Sequence, residues 1–424
     1  MRFPCAYLFF LLCLIANLRC QSFKVFLKLC YIYFFLKILR LIHSLDPCGG
    51  GPAEGIRQIS PHLAELGVFS TVASLDPPNS PWLFNEDLKL IGLGPVFGGY
   101  GYRRKLSCDI RSLALEYDCV IIHGLWQYHT LATWRALRGS GVPYFVYPHG
   151  MLDPWFKRTY PLKHLKKWCY WLWADYRVLR DASAVLFTTE QERLLARQSF
   201  APYQANEKVV GYGTSQPPCH KERQRAAFLD QFPHLRGKRV LLFLSRIHPK
   251  KGVDLLIEAF ADVASLDPSL QLVIAGPNQL GFQETMQQLA ADLGIAERIT
   301  WPGMLCDDLK WGAFRCAELF CLPSHQENFG IVVAEALACG LPVVISEPVN
   351  IAADVAAANA GIVHADNALG TLNALRQWLL MTPADRTDMG ERGRKLFAEK
   401  FDFASVAKNL IPLFENALKT QPNR

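Results

Sequence analysis

The stretch HQENFGIVVAEALACG, residues 325–340, sets two carboxylates, Glu327 and Glu335, into an otherwise apolar run. Carboxylates are seldom tolerated against a core unless something answers their charge, so the pair asks for a ligand with groups to donate. Upstream, Arg246-Ile-His-Pro-Lys-Lys-Gly252 gathers Arg246, Lys250 and Lys251 just before a helical pattern that begins near Val253. Arginine grips two oxygens in plane, lysine acts as a point charge, and a helix N-terminus adds its dipole. Together they suit a diphosphate. A solvated basic loop is the plainer reading of any Lys-Lys pair; the position after a buried strand favours the anion. Two further loops qualify. The backbone of Gly49-Gly50-Gly51-Pro52 can approach an anion or simply turn tightly, and Pro148-His149-Gly150-Met151 offers an imidazole. A lone histidine after a strand is more often structural than catalytic, and His123-Gly124 is an equally placed competitor.

These loops must sit on something. From Lys37 onward, short apolar runs alternate with helical stretches: KILRLIH, then Pro52–Leu66; Asp118–His123, then Tyr128–Leu137; Tyr144–Tyr147; Ser183–Thr188, then Glu190–Gln198. After the polar, proline-bearing TSQPPCHKERQ a second series follows, with RVLLFLS, LQLVIAG, RITWPG, ELFCLPS and LPVVIS as buried strands. Val253–Ala264, Phe282–Leu293 and Ile331–Cys339 read as helices between them. Strands alternating with helices argue for parallel sheets. The expected architecture is α/β, with two Rossmann-like doubly wound domains facing each other across a cleft, where ligands bind beyond the carboxyl ends of the strands. The expected division is an apolar extension over 1–36, a first domain over 37–215, a linker over 216–235 and a second domain over 236–400. A terminal helix within 401–424 crosses back.

In this arrangement the four loops share one cleft. Glu327 lies in the loop after ELFCLPS, beside the amides of Asn328, Phe329, Gly330 and Ile331 at a helix start. Glu335 lies about a turn and a half into that helix, up to ~12 Å away. Hydroxyls at both ends and negative charge in the middle describe a nucleoside diphosphate sugar.

At this point PHGMLDPW, SRIHPKKG, IAGP and PSHQENFGIVVAEALACGLPVV resemble glycosyltransferase family 4, the retaining group 1 transferases of GT-B fold, from Lys37 to the end of the chain. The resemblance implies that Glu327 binds the donor sugar, Glu335 the ribose, and Arg246 and Lys251 the diphosphate. It makes Gly50 and Gly51 the glycine-rich first loop and His149 the active-site histidine. It also implies front-face substitution with retention, a hexose as the transferred group, no cofactor beyond the donor, and a saccharide acceptor, lipid-linked in many members, in lipopolysaccharide or exopolysaccharide assembly. No Asp-x-Asp pair occurs in the chain, and a metal-independent reaction is expected. The 36-residue extension departs from the family pattern.

Composition narrows the alternatives. The 424 residues carry a formal net charge of +7, but Arg2, Arg19, Lys24, Lys28, Lys37 and Arg40 precede the first acid, Asp46, and leave residues 41–424 near neutral. A nucleic-acid partner is therefore not expected. Thirteen cysteines without a CxxC pair, several inside apolar runs, argue for buried thiols in a reducing compartment rather than disulfides or zinc. A dinucleotide oxidoreductase lacks its motif, because Gly92-Leu-Gly94 runs into Pro95. A GT-B epimerase or phosphorylase, or a non-catalytic membrane scaffold on the same fold, is the remaining rival, and the intact Arg246, Lys251, Glu327 and Glu335 set argues against loss of activity.

Two segments bear on membranes. Phe3–Leu18 and Val25–Leu36 are apolar runs short of the ~20 residues a spanning helix needs; a start site beside Lys37, a membrane anchor and a cleaved signal are the three readings. Residues 157–177, KRTYPLKHLKKWCYWLWADYR, mix lysines with tryptophans, and Leu162, Leu165, Cys169, Leu172 and Tyr176 form one helical stripe. A core-packed helix with a solvated basic edge and a helix docked on anionic lipid both fit. The expected location is cytoplasmic, peripheral at the inner face of the membrane.

Overall fold

The computed structural model describes residues 35–47, 51–84 and 87–419, so Gly49 and Gly50 and nearly all of the apolar extension lie outside the described residues. Two all-parallel sheets organise the chain. The first holds β1 (Leu36–Ile42), β2 (Val68–Ser74), β3 (Lys89–Gly92), β4 (Cys119–His123), β5 (Tyr144–Tyr147), β6 (Ala184–Phe187) and β7 (Glu207–Val209), in the order β3-β2-β1-β4-β5-β6-β7. The second holds β8 (Arg239–Leu244), β9 (Leu270–Ala275), β10 (Ile299–Gly303), β11 (Ala317–Leu322), β12 (Val343–Ser346) and β13 (Gly361–His364), in the order β10-β9-β8-β11-β12-β13.

The apolar runs read from the sequence become these strands because both faces of a parallel sheet are covered by helices, so near-continuous burial is required. In β4, β5, β6 and β9 every residue is buried. The helices Tyr128–Leu137 and Val253–Ala264 match the expected bounds. Cys321 and Cys339 are buried free thiols, and Cys316 is half-buried.

The polar stretch expected as a linker differs. Within 216–235 lies the helix Lys221–Gln231, which buries Gln224 and Phe228 and packs on the helix Asp307–Cys316. Gly312 permits the approach, since a Cβ there would meet Phe228 Cβ at 2.7 Å. With only two buried positions in eleven residues the helix carries almost no amphipathic pattern, and its polar composition reads as a loop. It belongs to the second lobe.

The helix Phe403–Lys419 packs against the helix Gly51–Glu65 of the first lobe, with Phe414 edge-on to Phe145 at 5.4 Å. The lobes also meet at the carboxyl ends of their strands. Gln326 Nε2 donates to Asp153 Oδ2 (2.7 Å), and Asn328 Nδ2 to Thr188 Oγ1 (3.4 Å). Among the described residues no helix is long and apolar enough to cross a membrane.

Candidate functional site

In the second lobe β8 ends at Leu244 and the chain runs through Arg246 to a single 3-10 turn, Pro249–Lys251, before the helix Val253–Ala264. Gly252 makes this turn possible. Its φ of 66° is left-handed, and a Cβ there would collide with the carbonyl oxygen of Pro323, so only glycine lets the basic loop lie against the end of β11. The carbonyl of Lys250 accepts from His325 N (2.9 Å) and Ser324 Oγ (3.0 Å), which ties the loop after β8 to the loop after β11.

The result brings Lys251 onto Glu327. Lys251 is buried, and its Nζ is ion-paired with Glu327 Oε2. The backbone of Glu327 is clamped in turn: its N–H donates to Pro348 O (3.1 Å) and its carbonyl accepts from Asn350 N (3.1 Å). Lys250 lies over the Trp155 ring at 4.7 Å, and burial followed by repulsion from Lys251 pushes its ammonium down to about 8. Arg246 is exposed and has no ion-pair partner among the described residues.

Glu335 projects from the helix Ile331–Ala338 and is only 2% exposed. Lys310, on the helix Asp307–Cys316, bonds its Oε1 at 2.6 Å, while its Oε2 is buried without a partner. Burial raises the Glu335 pKa and Lys310 opposes the shift. A charged group half-satisfied in this way is costly to the protein alone, and the vacant oxygen is a built acceptor. At the start of the same helix, the N–H groups of Phe329, Gly330 and Ile331 donate to no acceptor among the described residues. The side chains here serve the lobe contact instead. Phe329 is buried edge-on to Tyr212 (5.5 Å) and Phe401 (5.5 Å), and Ile331 Cδ1 lies 3.0 Å from where a Cβ on Gly51 would stand.

Across the cleft His149, with φ 50°, and His123 prove to be neighbours rather than competitors. His123 Nδ1 and His149 Nε2 are 2.9 Å apart, and Arg40 NH1 reaches His123 Nε2 at 3.4 Å. A guanidinium only donates, so His123 accepts at Nε2, donates from Nδ1 to His149, and leaves the His149 proton on Nδ1. Burial and then Arg40 push the His149 imidazole down to about 3, which makes it a neutral donor. The turn is pinned by buried Glu192, which accepts from Gly150 N (2.6 Å) and from Thr188 N (2.8 Å) and Oγ1 (2.6 Å).

Sequence reasoning missed Lys310, Glu192, Arg40 and the Gln326–Asp153 bridge. Lys310, Arg40 and Gln326 each lie far along the chain from their partners, as Glu192 does from Gly150 though not from Thr188, and the one legible signal was Arg40, a charge inside the apolar run of β1.

Comparison with known proteins fits this geometry. The profile described as Glycosyl transferase 4-like domain matches residues 50–213, and that described as Glycosyl transferases group 1 matches 224–396. The chain belongs to the group 1 glycosyltransferases. Among relatives of this family, the D-inositol 3-phosphate glycosyltransferase of Gordonia bronchialis is 28% identical over 262 residues, 58% of this chain and 55% of that protein. The chain thus spans about half the length of the curated relatives it matches. Sucrose-phosphate synthase from Thermosynechococcus elongatus superposes with a TM-score of 0.70 at 20% identity, covering 91% of this chain and 100% of that one. HepE of Anabaena, solved with UDP and glucose, gives 0.69 at 19% identity, covering 90% and 99%. These structures share the fold of two parallel sheets flanked by helices.

Proposed function

We propose that the protein is a retaining glycosyltransferase that moves a hexose from a nucleoside diphosphate sugar to a saccharide acceptor. The observation that carries this is the pair of carboxylates, each anchored by a lysine, at either side of the cleft-facing helix start: Lys251–Glu327 and Lys310–Glu335, the latter with one buried oxygen left vacant. Glu335 Oε2 accepts from a ribose hydroxyl and Glu327 from a sugar hydroxyl. Arg246, Lys251 and the free amides of Phe329, Gly330 and Ile331 take the diphosphate, with the backbone of Gly51 approaching from the first lobe.

As the C1–O bond to the diphosphate breaks, charge accumulates on the β-phosphate, where these cations and amides are already oriented. The acceptor oxygen bonds to C1 from the same face, and its proton passes to the departing phosphate oxygen. His149, neutral and donating from Nδ1, holds a sugar oxygen in place. Side chains supply the positive charge, so transfer proceeds without a metal ion.

The acceptor is a lipid-linked saccharide of the kind extended in lipopolysaccharide or exopolysaccharide assembly, met at the inner face of the cytoplasmic membrane. Supporting this, the helix Pro161–Trp173 buries Trp171, whereas Leu162 (83% exposed), Leu165, Trp168, Leu172 and Trp173 lie on the surface. The stripe is turned outward, against a core-packed role. With Lys163 and Lys166 beside it, this face suits anionic lipid.

The test is Lys251→Ala. Transfer, or hydrolysis of donor in a panel of UDP and GDP sugars, falls about 10²–10³-fold while the melting curve stays cooperative. A variant with normal turnover would remove the phosphate assignment.

A further inference from the structure

A second cavity lies in the first lobe, beside the His149 turn and outside the donor cradle. Its volume is about 220 Å³, and Met151, Tyr160, Lys163, His164, Lys167 and Phe200 line it. A pocket enclosing a whole ligand has roughly 300–1,000 Å³, so this one takes one end of a molecule. Lys163 and Lys167 are one helical turn apart and share a face. Each ammonium lies over an aromatic ring that helps fix it: Lys163 Nζ is 4.8 Å from the Tyr160 ring and Lys167 Nζ 4.6 Å from that of Trp126. His164 stacks on Phe200 at 4.4 Å. Burial, then Lys157 and Lys167, lower the imidazole pKa. It stays neutral near pH 7 and can hydrogen-bond to an anion without repelling it.

The wall also holds a carboxylate, Asp153, but both its oxygens are engaged, Oδ1 by Trp155 N (2.8 Å) and Oδ2 by Gln326 Nε2 (2.7 Å). These bonds fix the carboxylate in place, one within its own loop and one across the lobes. Behind Lys167, buried Asp175 accepts from Trp126 N (2.9 Å) and supports the ammonium from the protein side. The cavity adjoins the reaction centre along the chain: Met151 is two residues past His149, and Asp153 is bonded to the neighbour of Glu327.

We propose that this cavity is the acceptor's phosphate subsite: Lys163 and Lys167 select an acceptor whose sugar carries a phosphate or diphosphate, and Tyr160 and Phe200 cover its apolar ring face. This rests on the transferase reading above and names the acceptor's chemistry. Either a free sugar phosphate or a lipid-linked sugar diphosphate supplies it. The exposed Leu162 and Leu165 on the outer side of the same helix give a lipid chain a path from the pocket to a bilayer.

Calorimetric titration separates the possibilities. Glucose 6-phosphate, glucose and a short-chain polyprenyl diphosphate in detergent are titrated into the wild type, Lys163→Gln/Lys167→Gln and Lys251→Ala. The expected result is tenfold or greater weakening of the phosphorylated probes in the double lysine variant, little change in Lys251→Ala, and glucose binding weaker than either probe in the wild type. Tighter binding of glucose 6-phosphate assigns a soluble phosphorylated acceptor, and tighter binding of the polyprenyl probe a lipid-linked one; both support the subsite. Phosphorylated probes that bind equally to the wild type and the double variant, or no better than glucose, overturn it. Titration of UDP and GDP into Lys251→Ala reads the donor cradle separately, so failure of one assignment is not mistaken for failure of the other. Should the double variant not fold, Lys163→Gln alone, at an exposed side chain, carries the same comparison.

Discussion

Replacing Lys310 by Met tests the electrostatics of the ribose end without a ligand. The change keeps the apolar stem and removes the ammonium, which lies over the Trp311 ring at 5.0 Å and is bonded to Glu335 Oε1. Breaking a buried ion pair typically costs 3–5 kcal/mol, because the surviving charge is uncompensated. Here the loss has a ceiling. A carboxyl with an ordinary value of 4.5 can take up a proton instead, which costs about 3.4 kcal/mol at pH 7 and about 1.4 kcal/mol at pH 5.5. The native pKa lies above the unfolded one, so the native state binds more protons and stability is regained as pH falls through this window. Urea unfolding of the wild type, Lys310→Met and Lys310→Met/Glu335→Gln at both pH values reads this directly. The single variant should lose about 3 kcal/mol at pH 7 and at most about half of that at pH 5.5, and the double variant should show no such pH dependence. Equal losses of the single variant at the two pH values would mean that the missing charge is not the one Glu335 needs.

Three further outcomes follow from the same geometry. Buried His129, pushed down to about 4 from 6.5, stays neutral in the native state while the unfolded chain takes up a proton below pH 6.5. It therefore removes stability, up to about 3 kcal/mol between pH 6.5 and 4. His129→Asn should flatten that limb of the pH profile relative to wild type, and comparing the two cancels the opposite contribution of Asp175, raised to about 7; an unchanged limb would count against a neutral His129. Gly252→Ala, forced against Pro323 at positive φ, should cost more than about 1 kcal/mol and weaken UDP or GDP binding by shifting Lys251, as read by melting curves with and without nucleotide. Leu162→Glu/Leu165→Glu should abolish co-flotation with anionic vesicles at unchanged melting temperature, whereas flotation that persists would argue against docking through this helix.

The sequence made the lobes legible because parallel strands buried on both faces announce themselves as apolar runs, and helices such as Val253–Ala264 carry their own periodicity. It failed where burial is sparse, as at Lys221–Gln231, whose two inward residues leave no pattern. For the site, the loops were legible because glycine, proline and clustered charge sit at strand ends. What stayed hidden was pairing across the fold. Nothing near Glu335 in the chain points to Lys310, and His123 and His149 looked like rivals because sequence spacing cannot show that adjacent parallel strands, β4 and β5, set the two rings side by side. The Lys251–Glu327 pair was foreseen as two separate ligand contacts; before a ligand arrives, the two side chains satisfy each other.

The central claim is that one cradle in the second lobe holds the diphosphate and both sugars of the donor. A crystal structure with a bound nucleoside diphosphate sugar tests it most directly. Phosphate oxygens should lie on Arg246, Lys251 and the amides of residues 329–331, with Glu335 Oε2 accepting from the ribose and Glu327 released toward the hexose. A donor bound with its diphosphate away from Arg246 and Lys251, and with Glu335 Oε2 still vacant, would contradict it.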